Sequence, residues 1–360
     1  MALRSLRLPW MAIALLAAAS FLLAGCSGQA MTPSSWPGVA ADSETAYVAN
    51  NQAVFAINLA TGTERWRFPA TPDRAISLFA SPTVTDDGQI LIGGFNGVVY
   101  ALKASDGSLA WQSASLGDRI IGSVAVAGDL ILVPCANHTL YALQRAGGAS
   151  VWSFETQAPL WAAPLVDGEV AYLASQDHSL YGLEARTGRL LWSQELSGAL
   201  SDTPLLAAGR LIAGTFGQGL KAVDPRTGTP AWTVPTNGWV WGSPAADETL
   251  AYFGDLAGTA RAVSLQDGST AWSIEAGAAV VASPTIGNGI VYFADDGGTV
   301  HARGASDGSA RWQVLLTGPA TSDPVLAGDV LLVGVSTGDV LLAALDPATG
   351  ASRWNYTPAK

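Results

Sequence analysis

Short apolar runs separated by turn-forming residues follow one another along most of the chain. In one representative stretch the runs occupy 163–166, 170–173, 179–183 and 190–192, with Asp-Gly after the first and Thr-Gly before the last. Apolar runs of this length between Gly, Asp and Asn turns indicate β-strands joined by hairpins. The pattern therefore predicts a succession of units with four strands each.

An 11-residue pattern occurs eight times along the chain: a small residue, a glycine six positions later and a tryptophan four positions after that. Successive tryptophans lie 45, 41, 40, 40, 40, 40 and 42 residues apart. A four-stranded unit of this length predicts a propeller blade, and stacking of blades in a ring supplies the core that one blade lacks. We expect these eight tryptophans to be structural: Trp66, Trp111, Trp152, Trp192, Trp232, Trp272, Trp312 and Trp354.

The tryptophan pattern resembles the docking motif of the quinoprotein-like (PQQ-repeat) propellers, Ala-x-Asp-x-x-Thr-Gly-x-x-x-Trp. Residues 222–232 and 344–354 match it in full. The resemblance implies an all-β fold, an eight-bladed β-propeller of four-stranded antiparallel blades with the indole packed between adjacent blades. The predicted blades are 36–68, 81–113, 123–154, 163–194, 203–234, 243–274, 283–314 and 323–356.

The first 35 residues predict export and attachment to a membrane. Arg4 and Arg7 precede an apolar run at 8–23, and Leu-Ala-Gly leads to Cys26. This arrangement resembles a bacterial lipoprotein signal, which implies a signal peptide at 1–25, lipidation of Cys26 by chains such as palmitate, and a tether at 26–35.

The sequence leaves two ways to close the ring. Blade eight is either complete on its own or receives a strand from residues 27–35, because an unpaired strand edge would favour aggregation.

The charge of the chain bears on nucleic-acid binding, and its cysteine content bears on disulfide bonding. Removal of residues 1–25 takes away two arginines and no acid, so the formal charge moves from −11 to −13, which disfavours nucleic acid as a partner. Cys26 and Cys135 are the only cysteines. A lipidated Cys26 leaves no intrachain disulfide, and we expect Cys135 to be a buried free thiol.

One end of the ring is predicted to hold the candidate site. Immediately before each first strand stand Ser35, Ala80, Gly122, Ala162, Asp202, Gly242, Ala282 and Ser322, and Asp202 alone is charged. Phe79, Trp161 and Trp241 are each one residue further upstream, and Trp239 is nearby. These aromatic residues either form an apolar patch that binds a partner or ligand, or fill the channel and pack between adjacent blades.

Two polar motifs on the same face admit a metal interpretation. His138 and His178 occupy equivalent hairpin positions, and Asp295-Asp296-Gly297-Gly298 contains two carboxylates. A metal site needs further ligands, and none is regularly placed, so turn residues explain both motifs better and no metal is predicted. Asp202 and Asp323 are the acids expected near the axis, and two aspartates do not form a catalytic mechanism.

Within the PQQ-repeat propellers, the chain is similar to the BamB family of outer-membrane assembly lipoproteins. The resemblance implies a non-catalytic scaffold in the cell envelope that binds the β-barrel assembly machinery, at the outer membrane facing the periplasm or, in a single-membrane bacterium, on the outer face of the cytoplasmic membrane. Residues 200–204 are the nearest counterpart of that family's partner-binding stretch, which suggests Asp202, with Leu160 and Trp161 as its apolar neighbours.

Two alternative functions are a ligand-binding or sensor propeller of the envelope and a PQQ-dependent dehydrogenase. The dehydrogenases resembled are much longer and generally have a bridged pair of adjacent cysteines beside the quinone. This sequence has no adjacent cysteine pair. We therefore predict no enzymatic activity and no PQQ cofactor.

Overall fold

The computed structural model describes residues 36–71, 73–217 and 219–359. The regular elements of these ranges are β-strands, which form eight sheets. Each sheet contains four consecutive antiparallel strands in sequence order, which is the arrangement of a propeller blade. The predicted all-β, eight-bladed fold is therefore confirmed. Within the same ranges, no helix has the length and apolar character that a membrane crossing requires.

The strands of each blade are contiguous in the sequence. Blades one to four comprise β1 (Gly38–Ala41), β2 (Thr45–Asn50), β3 (Ala53–Asn58) and β4 (Glu64–Phe68); β5 (Thr83–Val84), β6 (Gln89–Gly93), β7 (Val99–Lys103) and β8 (Leu109–Gln112); β9 (Ala125–Ala127), β10 (Leu130–Pro134), β11 (Thr139–Gln144) and β12 (Ser150–Glu155); β13 (Leu165–Asp167), β14 (Val170–Ala174), β15 (Ser179–Glu184) and β16 (Leu190–Glu195). Blades five to eight comprise β17 (Leu205–Ala207), β18 (Arg210–Thr215), β19 (Gly219–Val223) and β20 (Pro230–Pro235); β21 (Ala245–Ala246), β22 (Leu250–Gly254), β23 (Thr259–Ser264) and β24 (Thr270–Glu275); β25 (Thr285–Gly287), β26 (Ile290–Ala294), β27 (Thr299–Gly304) and β28 (Ala310–Leu315); β29 (Val325–Ala327), β30 (Val330–Gly334), β31 (Leu342–Leu345) and β32 (Ser352–Tyr356).

The hairpin between the third and fourth strands explains why the motif begins with a small residue. Ala222 of β19 lies directly opposite Trp232 of β20, and the register shifts by one residue immediately afterwards. In blade four the small residue is Gly182, where a Cβ atom would lie 2.5 Å from the indole of Trp192. A larger side chain at this position would displace the indole, so the position tolerates only a small residue.

The motif tryptophan of one blade packs on the motif glycine of the next. The indole of Trp192 covers Gly228 of blade five, where a Cβ atom would lie 2.6 Å from the ring. Its N–H donates a hydrogen bond to the carbonyl oxygen of Pro225 at 3.0 Å. Gly228 has a φ of +72°, so both its conformation and the lack of space require glycine. The same packing joins Trp66 to Gly107, Trp111 to Gly148, Trp152 to Gly188, Trp232 to Gly268, Trp272 to Gly308 and Trp312 to Gly350.

The same contact closes the ring between blades eight and one. The indole of Trp354 packs on Gly62, and its N–H donates to the carbonyl oxygen of Leu59 at 2.9 Å. The Tyr356 hydroxyl donates a hydrogen bond to Glu64. Blade eight obtains all four strands from β29 to β32, so it is complete on its own. The predicted tether at 26–35 lies outside the described residues.

The hydrophobic core is divided into layers between neighbouring blades. Each of eight buried clusters combines apolar side chains from two adjacent blades, and one of them joins blade eight to blade one through residues such as Val48 and Leu332. A blade therefore depends on both of its neighbours for burial of its faces.

We predict that Gly228→Ala destabilises the fold more than Gly289→Ala does. The two glycines have nearly the same φ, +72° and +73°, but a Cβ at Gly289 would have no neighbouring atom within 4 Å. Backbone strain should lower the free energy of unfolding by about 1–2 kcal/mol in both variants. The clash with Trp192 should lower it by about 1–3 kcal/mol more in Gly228→Ala, as measured by urea unfolding. Equal losses in the two variants would contradict this role of the indole.

Candidate functional site

Two kinds of loop form one face of the ring, which we call the mouth face. They are the hairpins between second and third strands and the loops that join one blade to the next. Backbone hydrogen bonds connect them: Phe216 N donates to Ala199 O at 2.9 Å, and Leu256 N donates to Trp239 O at 2.9 Å. Val240 N also donates to Thr215 O in the preceding blade at 3.3 Å. Each inter-blade loop is thus held by the hairpins on either side of it.

The residues at the axis are small because adjacent blades touch there. A Cβ at Gly242 would lie 2.7 Å from Ser283 N, and a Cβ at Gly38 would lie 2.6 Å from the backbone of Ala80. In blade one, Gly38 therefore packs closely against the start of blade two. Ser35, the residue predicted at the axial position of blade one, lies outside the described residues.

Asp202 and Asp323 converge on the axis from blades five and eight. One oxygen of Asp202 accepts a hydrogen bond from Thr203 N at 2.7 Å, and the other accepts from Ser243 N at 3.0 Å and from the Ser283 hydroxyl at 3.2 Å. Asp323 accepts from Ser283 N at 2.7 Å. Ser283 therefore links both carboxylates, although 40 residues separate it from Asp323 and 81 from Asp202.

The surroundings of the two carboxylates disfavour their ionisation. Burial raises the pKa of Asp202 above its usual range. Burial, and then the negative charge of Asp202, raise the pKa of Asp323 to about 7. The Asp323 side chain is accessible from the channel, but the ring of blades surrounds it and limits its hydration.

The pKa of Asp323 predicts that stability decreases with rising pH. Its folded-state pKa of about 7 exceeds the usual 3.8, so between these values the folded protein holds a proton that the unfolded chain releases. Stability should therefore fall as pH rises through this window. We expect Asp323→Asn to raise the melting temperature relative to wild type more at pH 8 than at pH 5. The exposed Asp129→Asn serves as a control for loss of one charge, and an equal effect of Asp323→Asn at both pH values would contradict the prediction.

An aromatic group lies on the mouth face at blades five and six. The Phe216 and Trp239 rings stack with centroids 4.7 Å apart and an interplanar angle of 12°. Trp241 approaches the same phenylalanine with centroids 5.0 Å apart. Trp239 is 45% exposed, and Trp241 is half-buried. We call Phe216, Trp239 and Trp241 the blade-six cluster.

A second aromatic group lies on the mouth face at blades one and two. The Phe79 ring is 4.5 Å from that of Phe95 and 6.3 Å from that of Trp36, between centroids. The Arg119 guanidinium lies over Phe95 at 5.9 Å from its centroid. Trp36 is 46% exposed, whereas Phe79 is buried. We call Trp36, Phe79 and Phe95 the blade-two cluster.

The structure separates the predicted site residues into exposed and buried groups. Leu160 is fully buried and Phe79 is 4% exposed, so neither offers much side-chain surface to a partner. Trp161 is half-buried, in the loop before blade four. The carboxylate of Asp202 is engaged by the neighbouring blades, as described above. A role in partner binding for any of these residues stays a prediction.

Sequence reasoning missed Phe95, Phe216 and Trp36. Phe95 and Phe216 each stand six residues before the small residue of the repeat, so an alignment of the hairpins would have paired them. Their proximity to Phe79 and Trp239 could not have been read from that alignment, because those partners lie in the inter-blade loops.

The histidine and acidic motifs have structural roles in hairpins. His138 and His178 have φ values of +70° and +73° at a turn position that Gly97, Gly258 and Gly298 occupy in other blades. Asp295 accepts a hydrogen bond from Thr299 N at 2.9 Å and lies 2.9 Å from Nε2 of the buried His301. In the described part of the chain, no three His, Cys, Asp or Glu side chains are grouped as a metal site would require.

A family model described as outer membrane protein assembly factor BamB matches residues 95–233 and 216–360. The two matches together cover most of the chain. The chain belongs to the BamB family. Two proteins named outer membrane protein assembly factor BamB are similar to it over short segments, that of Yersinia pestis at 34% identity over 84 residues and that of Shewanella oneidensis at 31% over 71 residues. The matches cover 23% and 20% of this chain, and only 21% and 18% of those relatives.

Solved structures support the fold of this BamB-family chain. BamB from Moraxella catarrhalis superposes with a TM-score of 0.71 at 18% identity, covering 85% of this chain and 92% of that one. A computationally designed protein, Ika8, superposes with a TM-score of 0.77 at 13% identity, covering 87% and 96% of the two chains. A designed protein shares the architecture as closely as a natural BamB does, so these likenesses show the fold alone.

Proposed function

We propose that this protein is a non-catalytic scaffold of the bacterial envelope, which binds a protein of the outer-membrane β-barrel assembly machinery through its mouth face. Membership of the BamB family supports a role in outer-membrane protein assembly, since the relatives that match are named as factors of that process. The blade-six cluster supports the mouth face as the binding surface, because the half-exposed Trp239 stacks on Phe216 there. Exposed, preordered aromatic rings are the usual anchors of protein interfaces.

The opposite face of the ring is occupied by turns that the repeat itself requires. Asp224 accepts a hydrogen bond from Arg226 N at 2.8 Å within its own turn, and Asp346 accepts one from Thr349 N at 3.0 Å. Hydrogen bonds from Arg353 and then Thr349 lower the pKa of Asp346 to about 2. These acids stabilise the turns, whereas the exposed aromatic residues of the mouth face lie outside the repeat. Their presence there is more consistent with binding than with folding.

The proposal includes neither catalysis nor a quinone. Cys135 is buried, and its thiol lies 3.3 Å from the carbonyl oxygen of Asp118. It has no adjacent cysteine with which to form the bridge expected beside PQQ. The protein's role would then be to present a rigid surface, which suits a ring whose blades are all joined to two neighbours.

A crosslinked pull-down of the lipidated protein from its own membranes tests the proposal. We expect recovery of a β-barrel assembly protein, identified by mass spectrometry, and at least a tenfold loss of that recovery with Trp239→Ala. Leu191→Ala is the matched control, because Leu191 is 42% exposed but lies on the outer strand β16. Recovery that survives Trp239→Ala would remove the mouth face from the proposal, and absence of any assembly protein would overturn the scaffold function.

We also propose that Cys26 is lipidated and anchors the propeller to a membrane; this segment lies outside the described residues. Cys26→Ser should abolish incorporation of labelled palmitate and move the protein from the membrane fraction to the soluble fraction after cell disruption. The buried Cys135→Ser is the control and should leave both properties unchanged. Persistent labelling of Cys26→Ser would place the lipid elsewhere.

A further inference from the structure

The two aromatic clusters lie on opposite sides of the channel. Phe79 belongs to the loop that enters blade two, and Trp241 occupies the equivalent position in the loop that enters blade six. Four blades of eight separate these positions, which corresponds to half a turn around the axis. The exposed members of the clusters, Trp36 and Trp239, therefore flank the channel mouth from opposite sides.

The acidic pair lies at the axis between the two clusters. Phe79 and Trp241 occupy the same position of the repeat. In its own blade, Asp202 stands one residue after that position, and Asp323 stands two residues after it. In blades two to eight, every other residue at these two positions of the repeat is Gly, Ala, Ser or Thr. No basic side chain therefore lies at these axial positions to neutralise the pair, and hydrogen bonds from Ser243 and Ser283 are what stabilise it.

We infer that the channel mouth binds one extended polypeptide segment, which lies across the channel, places an apolar side chain on each aromatic cluster and directs a lysine or arginine at Asp202 and Asp323 between them. The inference rests on the proposed function and specifies which side chains of the partner make the contact. An extended segment rises about 3.3 Å per residue, so it can carry two separated anchors and a central cation on one chain. Charge complementarity supports the central cation, and the exposed rings of Trp36 and Trp239 support the anchors.

This mode of binding couples affinity to pH. The cation requires ionised Asp323, whose pKa of about 7 means that most of the carboxyl is protonated at pH 6. Among the described residues, Asp202 is the charged group whose negative charge raises the pKa of Asp323. Binding of the cation should therefore release a proton, and affinity should rise by up to about tenfold between pH 6 and pH 8.

Selection of peptides by the purified full-length protein in detergent tests the inference. The probe is a displayed library of random peptides of about 12 residues, long enough to span about 40 Å when extended. We expect enrichment of sequences with a lysine or arginine between two aromatic or large apolar residues. Selection by Asp323→Asn should lose the basic residue but keep the apolar ones, and selection by Trp239→Ala should lose one of the two apolar positions.

The dissociation constant of one selected peptide, measured at pH 6, 7 and 8, gives a second readout. Wild type should bind up to tenfold more tightly at pH 8 than at pH 6, whereas Asp323→Asn should show no such change. Failure to enrich any peptide, enrichment without a basic residue, or equal pH dependence in the two proteins would overturn the inference. A pull-down that still recovers an assembly protein in any of these cases would leave the proposed function intact.

Discussion

The packing of each tryptophan on the glycine of the next blade is the contact on which the whole ring depends. Gly228 must have a positive φ and no side chain for Trp192 to cover it, and Gly62 meets the same requirements under Trp354. Because the last contact is chemically the same as the first seven, blade eight joins blade one without exchange of a strand. The core then consists of layers between blades, so no blade has a stable environment except within the closed ring.

The two ends of the ring differ in how much freedom they leave to the sequence. The motif specifies the turns of one end, where residues such as Asp224 and Asp346 accept hydrogen bonds from their own backbone. The mouth face carries only a requirement for small residues at the axis and for loops that hydrogen-bond to both neighbouring hairpins. The aromatic and acidic residues of this mouth face occupy positions that the motif does not specify.

Closure of the ring also creates the electrostatic environment at the axis. Asp202 and Asp323 belong to blades three steps apart, yet both accept hydrogen bonds from Ser283. The surrounding blades reduce the usual hydration of these carboxylates, and the neutral form of each is favoured. The same side chains on an open surface would remain ionised across the neutral pH range.

The sequence by itself determined the number of blades, the four strands of each and the structural role of the eight tryptophans. These features depend on local hairpins and on a motif that repeats at a nearly constant interval, so they can be read without knowledge of distant contacts. It also indicated the mouth face and the exceptional Asp202. Only the tertiary structure decided that Leu160 and Phe79 are buried, that Gly38 packs against the backbone of Ala80, and that Phe216 stacks on Trp239. Those outcomes depend on strand register and on packing between separate loops, because contacts between residues far apart in the chain form only when the ring is closed.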